Sequence, residues 1–183
     1  MDLGMQWEQL IDELDAAVDA GERRELVSEV ADRTRRELAR LRLVDRLRAA
    51  TGDDVTIGLD GGEPVRGQVR RVGPDWLLLD SAASTQVLVV ATGIVWIEGL
   101  TPRAVDPAAV SAVDGRLGLG SVLRAAARDR RVVQVRLRDG VELRGVLSRV
   151  GADSVDIGAD PRGASPDRCL PFAAIASVRL TGG

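Results

Sequence analysis

The side chains that carry most enzymatic proton transfer are missing from this chain. It contains no His, Lys, Tyr or Asn, and all 25 of its basic residues are Arg. Without imidazole there is no Ser-His-Asp triad, no Cys-His pair and no histidine-ligated metal. Without Lys there is no Schiff base and no phosphate-loop lysine. Carboxylates, arginines and a single thiol remain. The carboxylates gather as Asp53-Asp54, Asp60-Gly61 and Asp139-Gly140. Asp beside Gly is what a tight turn requires of the backbone, so turn formation is the preferred reading over acid–base or metal chemistry. Cys169 falls in an apolar strand-like segment with no base to activate it, and reads as a small buried hydrophobe. No catalytic residue, metal ligand or cofactor is expected.

The arginines are the other chemistry. Arg66, Arg70 and Arg71 recur further along the chain as Arg144 and Arg149, with Arg136 and Arg138 on a neighbouring segment. A guanidinium binds phosphate in a two-pronged geometry, so this stripe is the candidate nucleic-acid contact. The net charge of -3 supplies no global field to collect nucleic acid. Glu142, Asp156 and Asp75 stand close by in sequence. Pairing with those carboxylates is the preferred reading of the stripe.

Those arginines sit in a repeat. The segment Val65-Arg66-Gly67-Gln68-Val69-Arg70-Arg71-Val72-Gly73-Pro74-Asp75 matches Leu143-Arg144-Gly145-Val146-Leu147-Ser148-Arg149-Val150-Gly151-Ala152-Asp153 at a constant offset of 78 residues. A repeat of this kind must be read before anything else in the fold. In the first copy Val55, Ile57 and Leu59 alternate with polar or small residues, as a half-buried strand does. Strands are expected over 55–59, 65–72, 76–80, 86–90 and 94–98. In the second copy they are expected over 133–137, 141–150, 154–158, 168–171 and 175–180. Leu123-Arg124-Ala125-Ala126 before the second copy matches Leu47-Arg48-Ala49-Ala50 before the first, so each copy is expected to follow a helix.

Residues 5–20 carry an apolar stripe at helical spacing through Trp7, Leu10, Ile11, Leu14, Ala17 and Val18. A longer helix is expected from Glu22 to Ala50, with Leu38, Leu41, Val44 and Leu47 on one face. The two form a helical hairpin. Its spare apolar length must bury against itself or a second chain, which makes Trp7, Leu10, Leu14, Leu38 and Leu41 candidate interface residues. Trp96 in the first copy is another. Pro102, Pro107 and Gly115 mark a linker. The expected division is 1–50 hairpin, 51–100 first copy, 101–120 linker and 121–183 second copy.

Apolar content of 45% supports a packed core. No run of 18 apolar residues exists, so no membrane span is expected. The N-terminus lacks the basic and apolar regions of a secretory leader. A lone cysteine suits a reducing cytoplasm.

The run Val133-x-Val135-x-Leu137-x-Asp139-Gly140-x-x-x-x-Gly145-x-Leu147-x-x-Val150 resembles the first motif of the Sm/LSm-like proteins, and Ile175-x-x-Val178 resembles the second loosely. The resemblance covers both copies and omits the first forty residues. It implies an α+β chain: a helical hairpin, then two tandem five-stranded small β-barrels, each preceded by a helix. It also implies RNA binding through rings of subunits. The residues that would bind RNA do not carry over. The family's base-reading Asp and Asn fall at Gly151 and Val155, and at Gly73 and Leu77 in the first copy. The expectation is a non-enzymatic, self-associating scaffold or regulatory module, a homo-oligomer joined through strand edges or the N-terminal helices. The alternative is an RNA- or DNA-associated regulator acting through the surface arginines.

Overall fold

The computed structural model describes residues 41–81, 85–101, 117–158 and 168–180. The chain divides into two units, Met1–Leu41 and Arg42–Gly183, and all the strands and helices described below belong to the second. The expected hairpin up to residue 40 and the linker over 102–116 lie outside the described residues.

Helix α1 spans Leu43–Ala49 and is followed by strands β1 (Asp54–Leu59), β2 (Val65–Val72), β3 (Trp76–Ser81), β4 (Thr85–Val90) and β5 (Ile94–Glu98). Helix α2 spans Leu119–Arg128 and precedes β6 (Val132–Leu137), β7 (Glu142–Val150), β8 (Ser154–Gly158), β9 (Arg168–Pro171) and β10 (Ile175–Leu180). A short 3-10 turn separates the fourth and fifth strands of each copy, Ala91–Gly93 and Phe172–Ala174. The long helix expected from Glu22 to Ala50 is not continuous. Arg42 has φ -84° and ψ 147°, an extended conformation, and α1 starts after it.

The repeat in sequence is a repeat in register. Val55 lies opposite Gly67 as Val133 lies opposite Gly145. Ile57 pairs with Ile97 as Val135 pairs with Val178. Leu77 pairs with Val89 as Val155 pairs with Leu170. The long second strand of each copy breaks register near its end, between Val69 and Arg71 and between Leu147 and Val150. Such irregularities bend a strand and raise its twist. Gly67 and Gly145 stand where the paired strand comes close. A methyl group would run into the carbonyl oxygen of Asp80 in one copy and of Gly158 in the other.

The expected pair of separate closed barrels is not what forms. All ten described strands belong to one open antiparallel sheet, ordered β5-β1-β2-β3-β4-β10-β6-β7-β8-β9. The reason lies in β4. A barrel would require its free edge to be satisfied within its own copy. Instead Val87, Leu88 and Val89 pair with Arg179, Val178 and Ser177 of β10. Side chains alternate across a strand, and β4 uses both faces. Val87 and Val89 enter the core built on the first copy, with Val55, Ile57, Val69 and Leu79. Leu88 and Val90 enter the core built on the second, with Val133, Val135, Leu147 and Val178. A strand buried on both faces needs an unbroken apolar run, and Val87-Leu88-Val89-Val90 is one.

A second link ties the copies together. The turn after β2 reaches over to α2, where the Asp75 carboxylate accepts the Leu119 N–H at 2.9 Å. The neighbouring Trp76 indole donates to the Leu117 carbonyl at 2.6 Å. Helix α2 then buries Leu119 and Leu123 in the second core.

Candidate functional site

Most of the arginine stripe is occupied. Arg70 Nε lies 2.8 Å from Asp80 Oδ2 on the neighbouring strand. Arg136 Nε donates to Glu142 Oε1 at 2.8 Å, and Gln134 Nε2 donates to the other oxygen at 2.6 Å. Donation from Arg136 and then Gln134 holds the Glu142 carboxyl below its ordinary range. Arg138 reaches from the second copy to Asp60 of the first, its Nε and Nη2 at 3.0 and 2.9 Å from Oδ2. Arg71 is engaged as well. Arg66, Arg144 and Arg149 are exposed, and no ion pair joins them to another described residue. Of the carboxylates expected as partners, Glu142 serves as one, whereas Asp75 caps α2. Spacing along the chain does not report the pairing of Asp80 or Asp60, which depends on strand register and on the junction between copies.

The Asp-Gly positions have structural work. Gly61 has φ +69° and Gly140 φ +88°, values that favour glycine. These two turns touch: a side chain on Gly61 would meet the backbone of Arg138 and Gly140. Asp139 Oδ1 accepts the Val141 N–H at 3.0 Å within its own turn.

Among the described residues, no strand pairs with the outer side of either end of the sheet. Strand β5 is the terminal strand on one side and β9 on the other. Their counterparts in the repeat, β10 and β4, cover each other at the junction. Val95 is 62% exposed and Trp96 42% exposed on β5. The Trp96 indole lies flat on Gly58, where a methyl group would collide with the ring. Cys169, read from sequence as buried, is exposed. Alternation on β9 turns Leu170 inward and Cys169 outward, onto a face that Leu88 covers in the other copy. Among the remaining interface candidates, Leu41 is 37% exposed, and Trp7, Leu10, Leu14 and Leu38 lie outside the described residues. Among the described residues, no helix is long and apolar enough to cross a membrane.

No protein-family model matches this chain, and no curated protein matches it.

Proposed function

We propose that this chain is a non-enzymatic self-associating module of the cytoplasm, joined to further copies through the ends of its sheet. The β4–β10 junction carries the reading. It is a worked example, inside one molecule, of how the fourth strand of one copy covers the fifth strand of the next. Applied between molecules, the same register sets β9 of one chain against β5 of another. Arg168 then faces Glu98, Cys169 faces Ile97 and Leu170 faces Trp96, as Val87, Leu88 and Val89 face Arg179, Val178 and Ser177 within the chain. Both Arg168 and Glu98 are exposed, and opposite charges directly across a strand pair attract. The likeness to the first Sm motif supports the same reading, because that family implies subunits assembled in rings.

The junction between chains is weaker than the one within. Ser154, Cys169 and Pro171 stand where Trp76, Leu88 and Val90 anchor the internal junction. Gly93 packs closely on Ala176 at that junction, and Ala174 and Val95 hold those places at the outer ends. Association is therefore reversible and rises with concentration.

Light scattering across a concentration series tests this. The wild-type mass rises above that of one chain. Glu98→Arg alone and Arg168→Glu alone hold the mass at one chain where the wild type associates. An equal mixture of the two recovers association, because each then offers the charge the other needs. A wild-type mass of one chain at every concentration ends the proposal. The arginine stripe gives no comparable support to a nucleic-acid reading, since four of its seven members are engaged within the protein.

A further inference from the structure

The two copies differ where a ring is present in one and missing from the other. Ala91 and Phe172 hold the same backbone place, each opening the 3-10 turn after the fourth strand. Ala91 donates its N–H to the Asp75 carbonyl at 2.9 Å, and Phe172 donates its own to the Asp153 carbonyl at 2.7 Å. In the second copy the Phe172 ring lies against α2, and a Cβ built on Gly120 would stand 3.3 Å from its Cε2. Glycine on that helix makes room for the ring. In the first copy Val44 takes the place of Gly120 and Ala91 that of Phe172, and both line a groove.

A groove of about 210 Å³ opens there, between α1 and the turn joining β2 to β3. Leu43, Val44, Leu47, Trp76 and Ala91 give it an apolar lining, and Arg42 is the one charged residue on it. An apolar cavity of roughly 150 Å³ accepts a benzene ring. Pockets for drug-sized ligands begin at about 300 Å³. The size therefore suits a single ring. Arg42 is exposed and forms no ion pair with another described residue.

We propose that this groove binds a small aromatic carboxylate. Its ring lies in the groove beside Ala91 and Val44, against the Trp76 indole, and its carboxylate pairs with Arg42. Offset or edge-on contact with an indole favours an aromatic ring over an aliphatic one of the same size.

Titration calorimetry of the full-length chain with phenylacetate tests the assignment, with benzyl alcohol and phenethylamine as comparison probes. The wild type is expected to bind phenylacetate more tightly than either. Ala91→Phe puts a ring into the groove from the turn side and is expected to weaken phenylacetate at least about tenfold, the loss of a buried ring contact. Val44→Phe fills the same space from the helix side and is expected to do likewise. Arg42→Gln is expected to weaken phenylacetate about threefold, as an exposed ion pair should, and to leave benzyl alcohol unchanged. Chemical denaturation of each variant establishes that it is folded. No binding of phenylacetate to the wild type overturns the proposal. So does unchanged binding by both groove-filling variants.

Discussion

Asp75 and Asp153 occupy the same place in the two copies and do different things. Asp75 caps α2 across the junction, whereas the Asp153 carboxylate makes no hydrogen bond to another described residue. Removal of a helix cap costs about 1 kcal/mol. Asp75→Ala should therefore lower stability to urea by about that amount, while Asp153→Ala should stay within about 0.5 kcal/mol of wild type. Glu142 gives a pH signature. Its folded-state carboxyl is held below the ordinary value by Arg136 and Gln134, so the stability it contributes is present above the unfolded value, about 4.3. That stability is lost as the pH falls through the lower folded value. Denaturant midpoints of wild type and Glu142→Gln should draw together in acid and separate towards neutrality. Which carboxylates meet arginines was only partly legible. Glu142 lies next to Arg136 through one hairpin, but Asp60 and Arg138 are brought together by the joining of two copies.

At the scale of elements, period-two alternation placed the strands, because the pattern of burial along a strand is local. The same pattern left β4 ambiguous. Its apolar run was readable, but its two-sided burial was not, since one of its two cores belongs to the other copy. Leu88 is buried against Val133, Val135 and Val178 of the second copy. Leu88→Ala should cost about 2–5 kcal/mol, the range for deleting a large core side chain. Calorimetry should show both copies destabilised in a single transition, because β4 serves both cores. Gly145→Ala tests the close approach in β7. Its methyl would press on the Gly158 carbonyl, part of a paired backbone that cannot step aside, and overpacking of that kind costs about 1–3 kcal/mol. The break before α1 was missed because apolar spacing runs on through Arg42, and nothing in that spacing reports a backbone that turns extended.

The ten described strands form one sheet with two ends, and the proposed self-association turns on those ends. With a net charge of -3 and Arg70, Arg136 and Arg138 held by carboxylates, a generic single-stranded RNA should bind weakly. Fluorescence anisotropy at low salt is the measurement. A tight complex that weakens steeply with added salt would mean that Arg66, Arg144 and Arg149 act together on phosphates.

The sequence by itself determined the duplication, the strands, the turns with their glycines and the absence of His, Lys, Tyr and Asn. Each of these is set by residue type or by spacing over a few residues. Only the tertiary structure decided that the copies merge into one sheet, that Asp75 serves a helix in the other copy, and that a ring-sized groove opens beside Ala91. Those outcomes rest on contacts between residues far apart in the chain. The free edge of β4 and the free edge of β10 satisfy each other's hydrogen bonds, and no periodicity within either strand records which partner it will meet.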